Sequence, residues 1–152
     1  MLFKDEKNFP LDENIIVPGT LPRLKRWCRK SRIKIRRVPM TIPQDYSFRL
    51  DDLWGMGRAD ITVHHLFGKI VTLDVGFFVS KTYLSCKDVY EHYEKINEAL
   101  ISQYGSPDEM SGSIEDDNIH CTWYINGVKL CHYLFERFGI GEYLRVIFQD
   151  IK

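Results

Sequence analysis

Ser85–Pro107, SCKDVYEHYEKINEALISQYGSP, carries both ends of a helix in its own residues. Ser85 is placed to cap the N-terminus through its hydroxyl, and Asp88 completes a capping box while setting negative charge on the positive end of the helix dipole. Val89, Tyr93, Ile96 and Leu100 recur at helical spacing, with Tyr104 one turn beyond, so they share one apolar stripe. Gly105 suits the left-handed position just past a helix, and Pro107 forbids continuation. The reading is a helix over residues 85–104. A stripe this narrow is stable only against another apolar surface, and strand-like runs lie on both sides of it.

Downstream, SPDEMSGSIEDDN (106–118) reads as a polar acidic loop, and HCTWYI-NG-VKLCHYL (120–134) reads as a hairpin. A two-residue Asn126-Gly127 turn pairs Ile125 with Val128, Trp123 with Leu130 and Cys121 with His132. That face, with Leu134, is apolar, while His120, Thr122, Tyr124, Lys129, Cys131 and Tyr133 form the mixed opposite face. Leu144, Val146 and Phe148 alternate inward along a last strand.

Upstream, residues 46–79 read as a meander. Gly68-Lys69 suits a type II′ turn, which opposes Phe67 with Ile70, Leu66 with Val71 and His64 with Leu73. Leu66, Val71, Leu73, Val75, Phe77 and Val79 then face the core, and His65, Thr72 and Asp74 face away. Thr20 as cap and Pro22 in the first turn open a short basic amphipathic helix over 21–30, and Ser31–Val38 changes to strand period. Phe9, Ile15, Ile16 and Val17 of the leader suit an edge strand on the body. No internal repeat stands out. The expected fold class is α+β: a mainly antiparallel curved sheet, the long helix 85–104 packed across it, and the short basic N-terminal helix, in a single domain over 1–152.

A chain of 152 residues, 44% apolar and 13% aromatic, can bury a substantial core. No apolar run is long enough for a membrane span, and the N-terminus has no secretory h-region, so a cytoplasmic protein is expected. Cys28, Cys86, Cys121 and Cys131 form no CxxC pair and are expected as reduced thiols. Net charge is zero but unevenly spread. Residues 21–37 hold nine Lys or Arg and no acid, leaving 12 basic against 21 acidic residues elsewhere.

Candidate chemistry is sparse. Cys86 sits in a first helical turn, where the dipole lowers a thiol pKa, but His92 faces elsewhere round the helix. Cys121 with His132 and His120 with Cys131 fall on opposite faces of one hairpin, so a single tetrahedral zinc cannot collect all four. His65 with Thr72 and Asp74 makes an Asp-oriented histidine, half of a general-base arrangement, with no nucleophile placed beside it. Gly55-Met56-Gly57 lacks the remainder of a phosphate loop. No catalytic residue, cofactor or metal is assigned. Two charged sets remain. Arg23, Lys25, Arg26, Arg29, Lys30 and Arg36, with Trp27 among them, suit nucleic-acid phosphate and base stacking. Asp108, Glu109, Glu115, Asp116 and Asp117 in one loop, with Asp51 and Asp52 in another, suit a basic protein partner.

The meander GRADITVHHLFGKIVTLDVGFF (57–78), the helix ending YGSP (104–107) and the final hairpin around Trp123 resemble small stand-alone bacterial immunity proteins. The resemblance covers most of the chain as architecture and carries over no functional residue. It implies a non-enzymatic protein that binds and neutralises a partner toxin domain. The basic N-terminal run departs from the acidic character usual in nuclease-directed members. The alternative expectation is a nucleic-acid-binding module using residues 21–37.

Overall fold

The computed structural model describes residues 7–77, 86–113, 115, 118–136 and 140–148. In chain order the elements are β1 (Phe9–Asp12), β2 (Ile15–Val17), α1 (Leu21–Lys30), β3 (Ile35–Arg37), β4 (Tyr46–Leu50), β5 (Ala59–Leu66) and β6 (Lys69–Phe77). They continue with α2 (Cys86–Tyr104), β7 (Glu109–Ser113), β8 (Asn118–Ile125), β9 (Val128–Glu136) and β10 (Ile140–Ile147). The fold is α+β, with eight strands in one sheet ordered β3-β4-β5-β6-β10-β9-β8-β7 and every pairing antiparallel. Each helix is followed by a four-stranded meander, and the two halves meet where β6 pairs with β10. This topological repeat leaves no sequence repeat, because each half needs only the same alternation and not the same residues.

Both helices lie on one face of the sheet. Trp27 of α1 meets Phe48 of β4 edge to face, and Tyr93 of α2 stacks on His132 of β9 at 4.0 Å. The register Phe48↔Ile61↔Val75 and Cys121↔His132↔Leu144 places these contacts on the same side. Leu21, Leu24 and Cys28 of α1 and Val89, Tyr93, Ile96 and Leu100 of α2 are buried. Each fully buried aliphatic side chain contributes about 1.5–3 kcal/mol, which holds two modest helices on the sheet. Gly105, at φ +85°, ends α2 as its composition requires. The proposed Ser85 cap and the inward Val79 lie outside the described residues. Thr20 precedes α1 in extended conformation but makes no side-chain cap bond.

The leader does not join the sheet as an edge strand. β1 and β2 pair with each other, burying Phe9, Leu11 and Val17 while Ile16 is exposed. Tyr104 at the end of α2 donates its hydroxyl to the carbonyls of Pro10 and Leu11 at 2.7 and 3.0 Å, and Trp54 Nε1 donates to Leu11 O at 2.6 Å. The strand expected over 31–38 is confined to β3.

The hairpin at Asn126-Gly127 has the register expected of it. The β5–β6 hairpin does not. Its turn is Phe67-Gly68, with φ of +51° and +80°, the type I′ pattern also seen at Asn126-Gly127. Leu66 pairs with Lys69, a bulge separates His64 from His65, and Val63, not His64, faces Leu73. Leu66 is therefore 40% exposed at the tip, while Ile70 is buried. The entry to α1 holds this turn, since Leu21 N donates to Gly68 O and Ile70 N to Gly19 O. The stretch read as an acidic loop also forms structure: β7 pairs residue for residue with β8.

Candidate functional site

Among the described residues no helix packs on the second face of the sheet. Alternation brings polar and aromatic side chains to it from every strand. One cross-strand row runs Arg36, Ser47, Thr62 and Asp74 over the first half. It continues through Arg145, Cys131, Thr122 and Glu109 over the second. Beside it Tyr133 and Tyr143 stack at 5.3 Å and His120 meets Tyr133 edge-on, with Tyr124 and Tyr143 about half exposed. Thr122 and Cys131 are buried beneath this polar cover. Burial pushes the Cys131 thiol up and the His120 imidazole down, so both are uncharged at neutral pH.

The corrected register changes which histidine meets Asp74. His64, not His65, stands opposite Thr72 and reaches Asp74 Oδ2 with Nε2 at 2.8 Å, while its Nδ1 lies 2.8 Å from Asp45 Oδ2. Arg145 Nε donates to Asp74 Oδ1 at 2.6 Å, and this bond raises the guanidinium pKa further. Carboxylates only accept, so this geometry is met when both His64 nitrogens donate. His65 turns to the backbone: Nε2 donates to Gln44 O at 2.7 Å, and Nδ1 accepts from Gly68 N at 3.3 Å. Asp45, His64, His65 and Arg145 line an open groove of about 390 Å³. Both rings are engaged by internal contacts through both nitrogens. The cluster therefore acts as a clasp tying the 38–45 connection to β5, β6 and β10. Replacing Asp74 by Asn should cost about 1 kcal/mol, the scale of a half-exposed charged network, read as a shifted urea midpoint at constant slope. An unmoved midpoint would mean that solvent replaces the clasp without loss.

A second polar cluster lies under α2, on the helix-covered face. His132 is fully buried, its Nδ1 3.0 Å from Asn97 Oδ1 and its Nε2 3.7 Å from Glu142 Oε1. His92 Nδ1 lies 3.3 Å from Glu142 Oε2. Tyr93 donates its hydroxyl to His132 O at 3.4 Å and toward Cys121 Sγ at 3.7 Å. No spacing in the sequence joins Glu142 to His92 and His132; only the β9–β10 register with α2 laid above does so.

The basic segment and the acidic residues 108–109 go to opposite edges of the sheet, while Asp51 and Asp52 stay near the basic edge. Arg26, Arg29, Lys30 and Arg36 are exposed around α1 and β3, at one edge. Lys25 lies over the Tyr46 ring at 4.3 Å and reaches its hydroxyl at 3.3 Å, and Arg23 is half-buried. The acidic set is not one patch. Asp108 Oδ2 accepts from Tyr124 N at 2.6 Å and Glu109 Oε1 from Tyr124 OH at 3.3 Å, at the start of β7. Glu115 is exposed beyond its other end; Asp116 and Asp117 lie outside the described residues. Asp51 and Asp52 follow β4, about 29 Å away across the strands at about 4.8 Å each. Asp52 caps its own loop through Gly55 N and Gly57 N.

Cys28, Cys121 and Cys131 are unpaired thiols, with burial raising the Cys28 pKa to about 11; Cys86 begins α2, but its side chain lies outside the described residues. Among the described residues no three of His, Cys, Asp and Glu converge as a metal site, and no helix is long and apolar enough to cross a membrane. Comparison of the chain with protein-family models, curated proteins and solved structures returned no match.

Proposed function

We propose that the chain is a non-catalytic protein-binding protein of the immunity type, which neutralises a partner bacterial toxin domain by docking the helix-free face of its sheet upon it. The observation that carries this reading is the composition of that face. Tyr124, Tyr143 and Arg145 are exposed on a broad antiparallel sheet, and tyrosine and arginine are the side chains that dominate binding energy in protein interfaces. The neighbouring imidazoles of His64 and His65 are held in internal contacts, which fits a face whose work is recognition.

The test is titration of the purified protein against the toxin domain encoded by the adjacent gene. A 1:1 complex is expected, and Tyr143→Ala should weaken it by about 30-fold, the cost of losing one central anchor. Absence of a complex, or an adjacent gene encoding no toxin, would end this reading. A second reading, nucleic-acid binding, rests on the exposed Arg26, Arg29, Lys30 and Arg36 along one edge. It requires affinity that falls steeply with salt and is lost on charge reversal at Arg26 and Arg29.

A further inference from the structure

We propose that the two open edges of the sheet fit each other, so that β7 of one copy adds to β3 of a second copy and the sheet continues head to tail. This inference uses the edges and stands apart from the reading of the face. Among the described residues β3 and β7 are the terminal strands, each paired on one side only. β3 presents Arg36 and Arg37, both exposed and without an ion pair among the described residues, next to exposed Lys34, Arg29 and Arg26. β7 is exposed along most of its length and lies within residues 96–128, which contain six acids and no Lys or Arg.

The register is set by the ladder already present. Eight strands with every neighbour antiparallel leave β3 and β7 running in opposite directions. A second copy that continues the sheet, helices on the same side, therefore presents β3 antiparallel to β7. The row that begins at Arg36 ends at Glu109, so continuation sets Arg36 opposite Glu109. One residue along, Ile35 faces Met110 on the helix side, where Met110 is 64% exposed in the single chain. One residue the other way, Arg37 meets Asp108 on that same face. A slip by one residue would turn these side chains to the wrong faces, and a slip by two would set Arg36 against Ser111 or Pro107.

Charge also ranks the alternatives below this pairing. Opening strand edges invites pairing, and charged side chains ordinarily guard them. Here the guards have opposite signs. Pairing β3 with β3 opposes arginines, which is unfavourable, and pairing β7 with β7 sets Glu109 against Ser113 and gains no opposite-charge pair. Only β3 with β7 places opposite charges across the new ladder. Such an interface is heterologous, so repetition closes a ring or extends a chain.

Sedimentation of nuclease-treated protein over a range of concentrations tests this. At about 50 mM salt the mass should rise with concentration, and at about 500 mM salt it should fall back toward the monomer. Arg36→Glu and Glu109→Arg each place like charges across the junction and should weaken association by about tenfold or more; both are exposed changes whose folding circular dichroism can verify. Mixing the two variants, or combining them in one chain, restores an opposite pair at every junction and should restore association. The proposal is overturned if the wild type stays monomeric at low salt, if either single variant assembles as the wild type does, or if the mixture does not recover. It is also overturned if nuclease treatment abolishes the assembly, which would assign the basic edge to nucleic acid.

Discussion

Trp123→Ala should destabilise the protein by about 3–5 kcal/mol, the range for removing a fully buried large aromatic. Trp123 is 1% exposed and stands on β8 opposite Leu130, within the main core. Its indole Nε1 also donates to Gly105 O at 2.8 Å, and Gly105 is the residue that ends α2. Truncation thus opens a cavity and unpairs the carbonyl that anchors the helix end to the sheet. Such a loss is a large part of the ~5–15 kcal/mol that a domain commonly has. Trp123→Phe separates the two effects. It keeps most of the volume and removes the donor, so it should cost about 1–2 kcal/mol. Urea unfolding of both variants gives the numbers. A cost below about 1.5 kcal/mol for Trp123→Ala would show that the β8–α2 contact is not part of the stabilising core.

The parts of this fold legible in the sequence are those whose determinants are local. Asn126-Gly127 fixes its own turn, and every facing pair along β8 and β9 follows from it. Pro22, Leu21, Leu24 and Cys28 suffice to place α1 over Leu21–Lys30. The β5–β6 turn departs from its expected form because the rule preferring glycine first competes with a tertiary tie. Phe67 accepts a left-handed conformation since the Gly68 and Gly19 carbonyls bind the start of α1 and β6. The expected register set His64 against Leu73, whereas the real one sets Val63 against Leu73 and Thr62 against Asp74. β7 escaped notice because EMSGS has no β-branched or apolar alternation; its strand form is imposed by the β8 edge. The β6–β10 pairing is still less local, and two features that follow from it were not legible. One is the charge row through Asp74 and Arg145, and the other is the separation of the basic and acidic segments to opposite edges.

The cluster beneath α2 should make the protein lose stability as pH falls from about 6.5, and the loss should depend on His132. Burial holds the His132 imidazole below its ordinary value of 6.5, only partly opposed by Glu142. The unfolded chain therefore binds a proton at a pH where the folded chain does not. By linkage, stability then rises with pH between the depressed folded pKa and 6.5, and is lost on acidification through that window. Burial pushes the Glu142 carboxyl up, but the imidazoles of His132 and His92 outweigh it and leave the carboxyl below 4.5. Its stabilisation is present above 4.5 and disappears as pH falls through the folded value, so both groups favour unfolding in acid. Each contributes at most about 1.4 kcal/mol per pH unit. Asn97, Tyr93 and Cys121 complete the surroundings of His132, and none supplies a charge that would hold an imidazolium there. Chemical unfolding at a series of pH values between 7.5 and 5 should show a slope in the wild type that His132→Gln flattens, whatever its effect on absolute stability. His120, also depressed by burial, serves as the comparison: His120→Gln should leave most of the slope in place, because that ring is only partly enclosed. Parallel slopes for the wild type and His132→Gln would mean that the imidazole is protonated as readily beneath the helix as in the unfolded chain, and the latch on α2 would then be indifferent to acid.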